Sequence, residues 1–122
     1  MIRTLIVTIA LLAGGFSSAF GYSVLEKIED AYEVPLGVVT LPASSSGSVI
    51  FTTCESCRTN SLRVTGTTRY LVNGAPVDLA DLNEVARNLR ATATGRDLTA
   101  VVVFYDVQSL RVTRIALAYQ NQ

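Results

Sequence analysis

The chain of 122 residues contains two cysteines, Cys54 and Cys57, separated by Glu55 and Ser56. A Cys-x-x-Cys pair supports three chemistries: a structural disulfide clipping a turn, a redox-active dithiol, or half of a metal site. A metal needs two further ligands, and with no His and no other Cys only carboxylates or a second molecule could supply them. Redox work needs a stabilised thiolate, which Arg58 favours and Glu55 opposes. A structural bridge over so short a loop removes little chain entropy, so it should stabilise by less than the ~3 kcal/mol expected of a 15-residue loop.

Other catalytic constellations are largely excluded. Without His there is no Ser-His-Asp or Cys-His arrangement, and zinc loses its commonest ligand. Lys27 is the only lysine and lies beside Glu26, Glu29, Asp30 and Glu33, which favour its protonated, unreactive form. Asp78 and Asp81 read as the first turn of a helix and Asp106 as a turn residue, where each carboxylate serves the backbone. No glycine spacing matches a phosphate-binding loop. No catalytic residue, resident metal or cofactor is therefore expected.

The stretch Val49-Ile50-Phe51-Thr52-Thr53-Cys54-Glu55-Ser56-Cys57 resembles the strand and Cys-x-x-Cys of glutaredoxin-like proteins, in which a helix N-terminus lowers the thiol pKa. Here Arg58-Thr59-Asn60-Ser61 predicts a turn and then a β-type run. A second group of residues suits recognition instead. Arg63, Arg69, Arg111 and Arg114 all fall on predicted strands, with Tyr70 nearby. Arginines on strands suit either an anionic partner or the shielding of sheet edges. Aromatics are few and Trp is absent, so the stacking platform of a single-stranded nucleic-acid binder is thin, and no nucleic-acid partner is expected.

The first residues set the compartment. Arg3, the apolar run Leu5 to Ala13 and the small residues Gly14 to Ala19 have the layout of a signal peptide over residues 1–21, with cleavage after Ala19 or Gly21. The apolar core is about half the ~20 residues of a spanning helix, so no stable membrane insertion is expected after cleavage. Residues 22–122 are then one small domain, exported to the periplasm of a Gram-negative host or secreted, where the two cysteines should be oxidised. Nine basic and ten acidic residues remain after Arg3, which predicts no general attraction to polyanions.

The elements follow from periodicity and breakers. Ser23 to Glu33 reads as an amphipathic helix ended by Pro35, with Leu25, Ile28 and Tyr32 on one face. Val38 to Leu41, Ser48 to Thr53, Leu62 to Thr65 and Thr68 to Val72 read as strands, the last entering an Asn73-Gly74 type I′ turn. Asp78 caps one long helix with Leu79, Leu82, Val85, Ala86 and Leu89 inward, Asp81, Glu84, Arg87 and Arg90 solvated, and Gly95 just beyond its end. Leu98 to Tyr105 predicts a strand covered on both sides, and Leu110 to Tyr119 a final strand with a β-bulge near Thr113 or Arg114.

The order strand, strand, strand, helix, strand, strand resembles small exported OB-like domains of bacteria, over roughly residues 48 to 119. Thr67-Thr68-Arg69-Tyr70-Leu71-Val72-Asn73-Gly74 and Val77-Asp78-Leu79-Ala80-Asp81-Leu82 carry most of that likeness. The expected fold is thus mainly β with one or two helices (α+β), either a small OB-like five-stranded barrel or a curled antiparallel sheet with one packed helix. The expected function is an exported, non-catalytic binding or interaction module. Its partner is an unknown protein or a small anionic or polar ligand, met by Arg63, Arg69, Arg111, Arg114 and Tyr70. The alternative is a periplasmic thiol-disulfide protein using Cys54 and Cys57.

Overall fold

A computed structural model describes residues 28–120. The expected signal peptide over residues 1–21 and the first residues of the expected N-terminal helix lie outside the described residues. Eight strands and two helices are arranged as β1 (Glu29–Pro35), β2 (Val39–Thr40), β3 (Ser48–Phe51), β4 (Asn60–Arg63), β5 (Arg69–Val72), β6 (Ala75–Val77), α1 (Leu79–Arg90), α2 (Ala93–Leu98), β7 (Ala100–Asp106) and β8 (Val112–Ala118). They form a five-stranded sheet, β1-β7-β8-β5-β6, and a three-stranded sheet, β2-β3-β4. The first is mixed, because β5 runs parallel to β8 while its other pairings are antiparallel. Both expected forms are thereby corrected: the larger sheet is mixed and not wholly antiparallel, and the strands form two sheets and not a closed five-stranded barrel.

Glu29 to Glu33 is also strand, not helix. Along β1, Asp30, Tyr32 and Val34 alternate with the exposed Glu29, Ala31 and Glu33. That period of two lets β1 pair with β7 along its whole length, and the ladder outweighs the weaker 3.6-residue periodicity. After Pro35 a 3₁₀ turn at Leu36–Val38 carries the chain into β2, anchored where the Leu36 amide donates to the Thr99 carbonyl at 2.9 Å.

Both sheets and α1 share one core. Val49 and Phe51 from β3, Val101 and Val103 from β7, Ile115 and Leu117 from β8, and Leu82 and Ala86 from α1 are all fully buried there. The helix starts where expected, with the Asp78 carboxylate accepting from the Asp81 amide at 2.8 Å. Its last residue departs from expectation. Arg90 is half-buried and donates to the Val39 carbonyl, and burial lowers its pKa.

The sequence reading missed α2, the second helix. Thr92 caps it through the Gly95 amide at 2.9 Å, so Gly95, which does lie past the end of α1, belongs to this second helix. An ideal Cβ on Gly95 would fall far inside van der Waals contact of the Leu89 carbonyl, so glycine is what allows α2 to pack on the end of α1. Arg96 then donates to the Arg90 carbonyl at 2.7 Å, satisfying one of the free carbonyls at the C-terminus of α1.

Asn73 and Gly74 have φ of 48° and 83°, as a type I′ turn requires, and they connect β5 to the short strand β6. The Asn73 side chain also accepts from the Tyr119 amide at 2.9 Å, tying this turn to the end of β8. Between β7 and β8 the register shifts, Phe104 facing Arg114 but Tyr105 facing Val112, so Thr113 is the extra residue of a bulge. Leu110 is no part of the strand. It is exposed in the preceding turn with φ of 59°.

Candidate functional site

Two places in the fold gather the chemically distinctive side chains, and they lie at opposite ends of the β3–β4 hairpin. At the tip, between Phe51 and Asn60, Cys54 and Cys57 are joined in a disulfide with Cα atoms 5.0 Å apart. The Cys57 amide donates to the Cys54 carbonyl at 3.2 Å, so the bridge closes a single turn. Residues 53 to 59 are exposed, and no helix begins at either cysteine.

At the other end the arginines meet. Arg63 of β4 and Arg111, just before β8, are bridge partners in parallel orientation, and Arg69 of β5 is the register partner of Arg114 on β8. Like charges placed directly opposite on neighbouring strands repel. Only one of the four is neutralised. Arg114 lies 3.2 Å from Glu29 and 3.8 Å over the centroid of the Phe104 ring. Among the described residues the guanidiniums of Arg63, Arg69 and Arg111 have neither a carboxylate nor a hydrogen-bond partner.

Arg69 and Arg111 border a cleft of about 530 Å³, whose walls also include Thr65, Thr67, Asp106 and Thr113. The threonines fix its shape. The buried Thr68 hydroxyl donates to the Val112 carbonyl at 2.7 Å and accepts from the Thr65 amide at 2.9 Å, and the Thr65 and Thr67 hydroxyls are 2.9 Å apart. Thus the bend between β4 and β5 is tied to β8 by side chains as well as by backbone. Across the cleft, the Asp106 carboxylate accepts from the amides of Ser109 and Gln108 at 2.8 and 2.9 Å. Those bonds hold its pKa below the usual carboxylate range.

Not every sequence-predicted site residue arrives there. Tyr70 turns into the core with 8% of its surface exposed, and burial raises its phenol pKa. It is absent from the arginine face. Asp78 caps α1 and Asp106 holds a turn, as their sequence contexts suggest. The Thr65-Gly66-Thr67-Thr68 bend was missed as a site element because threonines between two strands read as strand residues; its sequence signal is the run of hydroxyls around a glycine.

A second cleft of about 500 Å³ lies between the end of α1, α2 and the end of β8, with Leu89, Leu98 and Tyr119 in its wall. Neither acid nor base lines it. Among the described residues no helix is long and apolar enough to cross a membrane. Comparison with known protein families, with curated proteins and with solved structures finds no match for this chain.

Proposed function

We propose that this protein is an exported, non-catalytic binding module that captures an anionic group at the cleft beside Arg69 and Arg111. The observation that carries the reading is the pairing of arginine with arginine on adjacent strands, with Arg114 alone offset by a carboxylate. A fold tolerates such repulsion more readily when an external anion relieves it. The ionised Asp106 on the facing wall suits a ligand that carries a hydrogen-bond donor next to its anionic group.

An OB-like scaffold fits the strand connections. β1 pairs with β7 and, past the 3₁₀ turn, β2 pairs with β3; β3 pairs with β4; a single bridge joins Arg63 at the end of β4 to Arg111 just before β8; and β8 pairs with both β5 and β7. That order of pairings, which runs through two sheets and not through a closed barrel, with α1 between β6 and β7, is what supports the likeness. OB folds bind ligands on the strand 2–3 surface and the loops at its end, and on that likeness Arg63, Arg69 and Arg111 would fall on the corresponding surface. The disulfide supports an oxidising compartment.

Titration with inorganic phosphate, followed by amide chemical shifts, tests this reading. The expected result is saturable shifts at Thr65, Thr67, Arg69 and Arg111 that disappear in the Arg69→Ala/Arg111→Ala variant. Shifts spread evenly over Arg58, Arg87 and Arg96 as well would reject it. A second reading, thiol-disulfide exchange, draws on the exposure of Cys54 and Cys57. A reduction potential between ~−120 and ~−230 mV supports it, and one below ~−300 mV rejects it.

A further inference from the structure

We infer that the outer face of the five-stranded sheet is a self-association surface on which a second copy of this chain docks face to face. The inference does not rest on anion binding at the cleft, although Arg69 borders both surfaces. It starts from β7, whose sequence Ala-Val-Val-Val-Phe-Tyr reads as a strand covered on both sides. Only its inner side meets the core, through Val101 and Val103. Val102 and Phe104 point the other way, and none of their outward neighbours belongs to the core.

The register shows what surrounds them. One row across the sheet runs Ala31, Phe104, Arg114 and Arg69; the next runs Glu33, Val102, Ala116 and Leu71. The second of these rows is apolar on β7, β8 and β5, Arg114 interrupts the first, and α1 lies on the opposite face, where it buries Leu82 and Ala86 in the core. Charges stand toward the two sides of the outer face by sign: Glu33 on the edge strand β1, and Arg69 at the start of β5, where β6 has not yet joined the sheet. Among the described residues neither has an ion-pair partner. At one end the Glu29–Arg114 pair closes the patch above Phe104.

This distribution is complementary to itself. A two-fold axis lying between two such faces and running along the strands sets the acidic edge of each copy against the basic edge of the other, twice over. The apolar positions then meet as in an aligned sheet sandwich, with strand directions within about 30°. Four strands about 4.8 Å apart and some 20 Å long give a face of roughly 400 Å². This is about half of the ~800 Å² per partner of a standard stable interface, so the dimer is weak and concentration-dependent.

Sedimentation equilibrium of the protein purified after export with its own leader, over a wide concentration range, tests the inference. The expected result is a mass that rises reversibly from monomer toward dimer. Ala116→Glu should hold the protein monomeric throughout, with an unchanged circular dichroism spectrum. Glu33→Arg should weaken association about tenfold through like-charge contact, and Glu33→Arg/Arg69→Glu should restore it. The charge pair keeps the test decisive if Ala116→Glu fails to fold. A wild-type protein that stays monomeric at every concentration overturns the proposal, as does a dimer that Glu33→Arg leaves unchanged. Arg111→Ala should not alter association, which separates this surface from the cleft.

Discussion

The two ends of the β3–β4 hairpin are held by different means. The tip is a single exposed turn closed by a covalent bond between Cys54 and Cys57. The base is closed by hydroxyl and amide hydrogen bonds around the buried Thr68, with unneutralised arginines beside them. A bond at the tip constrains the four residues from Cys54 to Cys57 and little else. Thr68 instead joins the β4–β5 bend to β8, two elements 44 residues apart in sequence. The difference teaches that the covalent link is the more conspicuous feature in the sequence, but the threonine web does more to fix the relation between the sheets.

Breaking the web should therefore cost more than breaking the bridge. Thr68→Val removes a donor to Val112 and an acceptor for Thr65 in a buried place, and chemical denaturation should show a loss of about 2–3 kcal/mol. Cys54→Ser/Cys57→Ser should lose at most about 2 kcal/mol, the loop-closure value for a four-residue ring, and leave the circular dichroism spectrum unchanged. Arg111→Ala should leave stability within about 0.5 kcal/mol while weakening phosphate binding severalfold. An Arg111→Ala variant that unfolds instead would show the arginine to be structural.

The smallest effect concerns pH. Asp106 has its folded pKa depressed, so its contribution is present above the ordinary carboxylate pKa near 3.8 and is lost as the pH falls through the folded value. Asp106→Ala should therefore narrow the difference in thermal midpoint between pH 7 and pH 3. The variant should differ most from wild type at pH 7. Equal differences at both pH values would mean that the turn gains nothing from the charge.

The contrast also bears on legibility. Elements with local signals were readable: the Asp78 cap, the Leu82 and Ala86 stripe, the Asn73-Gly74 turn and the bulge at Thr113 each depend on residues a few positions apart. Elements decided by distant pairing were not. Whether Glu29 to Glu33 became helix or strand depended on β7, about 70 residues away, and the parallel pairing of β5 with β8 left no mark in either sequence. The arginines of the cleft were named from their strand positions, but which of them a carboxylate would neutralise depended on Glu29 arriving at the sheet edge. Tyr70 was misplaced because a single aromatic among strand residues does not reveal which face it takes.

Gly95 sets a limit on what descendants of this sequence can become. Its neighbour in type, Gly66, has nothing within 4 Å of where a side chain would begin, so drift there is open. At Gly95 the Leu89 carbonyl already occupies the space, and it is backbone, which cannot swing aside as a side chain would. Every other amino acid is therefore closed to that position unless α2 first moves off α1. Substitution at a single glycine would then have to wait for a rearrangement of two helices.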